Sequence, residues 1–151
     1  MPRKRPMSPA ATLPDEGLQP IIRLWLLRIL ISLGGHKEWL QPHGFRCAQL
    51  AQVLGLGHWL DESERAFDLQ AVRLELRQLH QEAERDAART EVPACLRENT
   101  HRLAALVGLS AVDCRILEFA CCIHAEQVLK DTADLLGEMS STRVCASLAV
   151  L

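Results

Sequence analysis

"LAALVGLSAVDCRILEFA", residues 103–120, is the stretch whose reading decides the fold. It reads as a helix, a turn and a second helix. An apolar helical run reaches Val107, Gly108 turns the chain through φ > 0, and Ser110 caps the second helix. A helix-turn-helix corner needs a small residue where the helices approach, a Gly four residues later, and apolar flanks to fill the angle. Leu103, Ala104, Val107, Leu109, Cys114 and Leu117 meet these demands. The spacing recurs in "DTADLLGEMSSTRVCASLAVL", residues 131–151, with Ala133 and Gly137 at the small and turn positions and Val144 and Leu148 in the core of the next helix. A weaker copy lies in "CAQLAQVLGL", residues 47–56, with Ala51 and Gly55. The three echoes suggest repeated tri-helical corners, or equally a Leu/Ala-rich composition.

Outside these corners the composition also favours helix. The chain has 151 residues, 48 % of them hydrophobic, no Tyr and few β-branched residues outside one segment. That length suits one domain or two small ones with a real core. Residues 1–17 are Pro-rich with a basic start, and the expectation is a disordered tail. Helix one is predicted over Pro20–Leu33. It begins on Pro20, stops at Gly34-Gly35, and is apolar nearly all round, as a helix buried on several sides must be. Its run "IIRLWLLRILISL" is too short to span a bilayer and carries Arg23 and Arg28, which argues against a membrane segment. "HKEWLQPHGF" reads as a loop, and Phe45–Leu54 as a second helix stopped by Gly55 and Gly57.

A long helix is predicted over 61–89, capped by Asp61 with Glu62 and Glu64 in its first turn. Leu69, Val72, Leu76, Leu79 and Ala83 fall three, four, three and four apart along it. That narrow seam suits packing against helix one within the chain, with a homo-oligomer seam as the alternative. "TEVP", ending at Pro93, reads as the boundary between a helical subdomain (18–92) and a tri-helical, helix-turn-helix-like subdomain (93–151). Helices are expected there over Ala94–Val107, from Ser110 to about Ile123, over Glu126–Leu136, and from Ser140 or Ser141 onward. The last is still apolar at Leu151, which reads as the cut end of a longer protein. The expected fold class is therefore all-α: about seven helices, with winged-helix-like tri-helical corners bridged by a long helix.

Charge narrows the function. The chain carries 17 basic and 19 acidic residues, a net of −2. From Leu103 onward three basic residues stand against six acidic ones, a net of −3, and the third helix of the corner offers only Arg143. A polyanion grip needs a basic surround, so the reading is against nucleic acid and for a protein partner. Six Cys without a C-x-x-C spacing, and no signal peptide, imply reduced thiols in a cytoplasm. Cys114, Cys121, Cys122 and His124 lie along one helix, which does not supply four converging zinc ligands, so buried Cys is the reading and no metal is expected. No Walker motif follows "GGHKEW", and no cofactor or catalytic residue is assigned. Trp39 and Trp59, in Gly/Pro-punctuated stretches, are with Arg143 the candidate partner-binding residues, whereas Trp25 reads as core.

The stretch "LRENTHRLAALVGLSAVDCRILEFACCIHAEQVLKDTADLLG", residues 96–137, resembles the region ahead of the ATPase core in a group of large proteobacterial AAA-family ATPases. Those proteins carry an "LA-x-x-LGLS-x-x-x-x-x-IL-x-FA" segment before the P-loop module. The likeness covers roughly residues 94–151, and residues 20–60 loosely. It implies a non-catalytic N-terminal domain that recruits substrates or adaptors, or helps to order the ring, with a downstream ATPase module as partner. The alternatives are a DNA-binding regulator with a winged-helix module and a structural dimerisation domain.

Overall fold

In the computed structural model, which describes residues 19–61 and 66–137, the chain is an all-α, multi-helix domain with one two-stranded ribbon. The expected tail 1–17, Glu62 and Glu64, Arg143, and the last helix with Val144 and Leu148 lie outside the described residues. Helix α1 (Pro20–Leu27) starts with Pro at its first turn and continues as a π-helical turn over Arg28–Ser32, so helix one has the expected extent. In that turn Leu33 N–H reaches Arg28 C=O at 3.1 Å, five residues back. Eight of its side chains are buried: Ile21, Ile22, Leu24, Trp25, Leu26, Leu27, Ile29 and Leu30. It is the hub of the core, touching α4 (Leu69–Asp86) and α7 (Gln127–Asp134). No helix among the described residues is long and apolar enough to cross a membrane.

The segment read as a loop is ordered. Gly35 opens α2 (His36–Trp39), where His36 Nδ1 donates to Leu30 C=O at 2.7 Å and ties α2 to the π turn. Strands β1 (Leu40–Gln41) and β2 (Gly44–Phe45) then form an antiparallel hairpin, with Leu40 opposite Phe45. Because Phe45 belongs to that ribbon, α3 begins later than expected, at Ala48, and runs to Leu54. The Trp39 ring lies 4.8 Å from Phe45, and its Nε1 donates to Cys47 C=O at 3.0 Å. Phe45 meets Phe67 edge-on at 5.2 Å.

The long helix is shorter than expected. Asp68, not Asp61, is its cap: the carboxylate accepts from Gln70 N–H (2.9 Å) and Ala71 N–H (3.1 Å). Phe67 is drawn into the aromatic cluster with Phe45 and Trp59, and residues 66–68 are not helical. The α4 seam faces the chain's own core. Val72 and Leu76 are fully buried, and Leu69, Leu79 and Ala83 pack partly buried beside them.

After a short 3-10 turn, Val92 returns to the core and α5 (Ala94–Val107) leads through Gly108 and Ser110 into α6 (Ala111–Ala125) and α7. Phe119 and Cys122 of α6 and Leu129 and Ala133 of α7 join the same cluster as α1 and α4. The Thr90–Pro93 connection therefore does not separate two cores, because the bulky face of α1 is closed by helices from both sides of it.

Two of the three LA-x-x-LG echoes also have a local meaning. Leu56 N–H bonds to Ala51 C=O (2.8 Å), and Leu109 N–H to Ala104 C=O (3.2 Å), each pair spanning a left-handed Gly, Gly55 at φ 85° or Gly108 at φ 75°. This is the Schellman termination of a helix, in which the residue after the Gly folds back onto the last turn. At these two sites the echo marks a helix end, and the helix expected after Gly137 lies outside the described residues.

Candidate functional site

The α5–α6 corner is built from local rules. Gly108 takes the left-handed conformation that L side chains resist, and nothing lies within 4 Å of where its Cβ would be, so the demand is for backbone freedom alone. Ser110 and Asp113 form a capping box. Asp113 N–H donates to Ser110 Oγ (3.2 Å), and Ser110 N–H donates to Asp113 Oδ2 (2.9 Å). The Ser110 hydroxyl adds a bond to the same carboxylate (2.7 Å), and these bonds hold Asp113 below the usual carboxylate range.

Of the apolar side chains expected to fill this corner, Leu103 and Val107 turn outward, and Leu106 and Val112 join them. Leu106 is 82 % exposed, Val107 62 %, Val112 47 % and Leu103 40 %. Thr100 is the one buried residue of α5. Leu103, Leu106 and Val107 stand three and four apart, on one face of α5, and Val112 lies on the first turn of α6. The corner thus presents four aliphatic side chains to solvent, with the charged, exposed side chains of Arg102 and Asp113 beside them in the sequence. Scattered apolar residues on a surface are ordinary, but a cluster at one turn is a feature of contact sites.

A second feature is a cleft of about 470 Å³ between α1, α5, α6 and the Ala87–Val92 connection. Its floor is Ile21, Leu24, Trp25 and Phe119, with the Trp25 and Phe119 rings edge to face at 5.0 Å and 85°. Its charged lining is Arg28, Glu91, Arg97, Arg115 and Glu118. Arg28 is held by Glu84, Nε to Oε1 at 2.7 Å and Nη2 to Oε2 at 2.8 Å, and Arg97 is paired with Glu91. Burial pushes the Glu118 carboxyl above its ordinary value, partly offset by His101, Arg97 and Arg115. Sequence reasoning missed this site because its parts come from α1, the α4–α5 connection, α5 and α6. The legible hint was the pair Arg115 and Glu118, charged residues three apart in the middle of a largely apolar α6.

The residues singled out from sequence fall elsewhere. Trp39 and Trp59, expected at an interface, are core residues. Trp39 is fully buried under the hairpin, while Trp59 donates from Nε1 to Glu75 of α4 at 2.8 Å. Both indoles are used to seat the ribbon and the Gly57–Trp59 turn against the helices, which the Gly/Pro-rich flanks disguised. Among the described residues no three of His, Cys, Asp and Glu come together to hold a metal. Cys122 is buried, its thiol pushed up to about 11 by burial and by the nearby Cys121, Glu126 and Glu118. It packs as a small apolar group. No family model, curated protein or solved structure matches the chain.

Proposed function

We propose that this chain is a non-catalytic, partner-binding domain of the kind that stands ahead of an AAA-type ATPase module and recruits substrates or adaptors to it in the cytoplasm. The observation that carries the reading is the exposed aliphatic corner of Leu103, Leu106, Val107 and Val112. Burying such side chains on a partner removes apolar area from water at about 25 cal/mol per Å². A rigid, doubly capped turn presents them with little ordering cost. Its occupant is an amphipathic helix of the partner, whose apolar side chains lie along the i, i+3, i+4 face of α5. The resemblance of residues 96–137 supplies the ATPase context.

The test places a photo-crosslinking residue at Leu106 in the full protein in its own cells, with the exposed Gln78 of α4 as control. A discrete protein adduct from position 106, absent at 78 and lost from a Val107→Glu background that keeps its helical circular dichroism, supports the reading. Equal adducts at both positions, or none, overturn it. Reading the coding sequence past Leu151 tests the ATPase context: a Walker motif supports it and a stop codon ends it.

A further inference from the structure

We propose that the cleft over Trp25 and Phe119 binds an apolar α-amino acid as its zwitterion, the ammonium on Glu118, the carboxylate on Arg115 and the side chain on the two rings. The volume, about 470 Å³, is in the range of small-molecule sites, which are typically about 300–1,000 Å³. The floor is hydrocarbon and aromatic, which suits an apolar body. The rim decides the charge of the ligand. Arg28 and Arg97 are already paired with Glu84 and Glu91. Arg115 and Glu118 differ. Among the described residues neither makes a hydrogen bond or an ion pair, even with the other, although they stand one turn apart on α6. Residues so placed have Cβ atoms about 5–6 Å apart, wide enough for a ligand's ammonium and carboxylate to sit one on each. A half-buried carboxylate with no donor is costly to keep, and a ligand ammonium would supply that donor. A simple anion would leave Glu118 unanswered, and a simple amine would leave Arg115 so.

The test is calorimetric titration of the full chain with L-leucine and L-phenylalanine, beside 3-phenylpropanoate and phenethylamine, which each lack one charge. The expected result is saturable binding of at least one amino acid, weakened about tenfold or more in the analogue lacking either charge. Glu118→Gln and Arg115→Gln should each cost a similar factor, with the Trp25 indole resonance shifting only in the chain that binds. Unchanged circular dichroism checks that both variants fold. No heat and no Trp25 shift at about 10 mM of either amino acid overturns the proposal. So does phenylpropanoate or phenethylamine binding as well as phenylalanine, or binding that Glu118→Gln leaves intact. None of these outcomes bears on the Leu106 corner, which shares no residue with the cleft.

Discussion

Arg28 and Glu84 lock the π turn of helix one to α4 through two parallel hydrogen bonds, Nε to Oε1 at 2.7 Å and Nη2 to Oε2 at 2.8 Å. The guanidinium side chain is 12 % exposed and the carboxylate 34 %, and His80 Nε2 lies 3.3 Å from the same carboxylate. Arg28 opens the π turn, so the pair fixes the start of that helical irregularity against α4.

Glu84→Gln should therefore destabilise the fold by about 1 kcal/mol at pH 7, less than a fully buried pair because Glu84 is a third open to water. The bonds from Arg28 hold the carboxyl below its ordinary 4.5 against the opposing effect of burial. A depressed carboxyl stabilises the native state above its unfolded value and loses that contribution as pH falls through the folded one. Urea denaturation of both proteins should show a gap that is full at neutral pH and closes below 4.5. A gap independent of pH would assign the cost to packing.

Glu118 carries the opposite sign. Burial holds its carboxyl above 4.5, so the native state keeps the proton longer than the unfolded one. The native state then loses stability as pH rises from 4.5 through the folded value, and at pH 7 the carboxylate is a standing cost. Glu118→Gln should raise stability at pH 7 by a few tenths of a kcal/mol, up to about 1, and change nothing in acid. Equal denaturant midpoints at pH 7 would refute this.

The local punctuation was legible in the sequence. Pro20, Gly34, Pro93, Gly108 and Ser110 bound the helices they were expected to bound, because each acts through its own backbone or cap. The ribbon of residues 40–45 was not legible, since two-residue strands have no period to detect and exist because Trp39 and Phe45 stack. Asp68 was not read as the cap, because the contacts of Phe67 with Phe45 and Trp59 just before it come from distant residues. The corner's chemistry was visible and its direction was not. Leu103 and Val107 have the spacing of core residues, but α1 is closed by α4, α6 and α7, and α5 is left with an uncovered face. The cleft depends on which distant charges pair, as Arg28 does with Glu84, and no local pattern reports that.

Two glycines separate backbone strain from steric contact. Gly108→Ala should cost about 1 kcal/mol, all of it from the left-handed φ of 75°, and Gly108→Asn less, since Asn tolerates that region. Gly35 has an ordinary helical φ, yet its added Cβ would stand 3.0 Å from Ile29 C=O, a backbone atom that cannot swing away. Gly35→Ala should thus destabilise too, and Gly35→Asn at least as much. Thermal melts of the four variants give the order, and an Asn rescue at 35 would contradict the steric account.

The last prediction concerns the seam on α4. Val72 and Leu76 are fully buried within the chain, while Leu74, between them in sequence, is 58 % exposed on the opposite side. If the seam's work is internal, Leu76→Ala opens a cavity against α1 and costs about 2–5 kcal/mol, whereas Leu74→Ala stays within about 0.5 kcal/mol. The mass by light scattering should be the same for wild type, Leu74→Ala and Leu76→Ala wherever all three are folded, because none of these changes removes a contact between chains. A dimeric wild type that Leu76→Ala converts to a folded monomer would transfer the seam from the core to an interface between copies. A dimer lost only with Leu74→Ala would place the interface on the outer face of α4 and leave the internal packing standing.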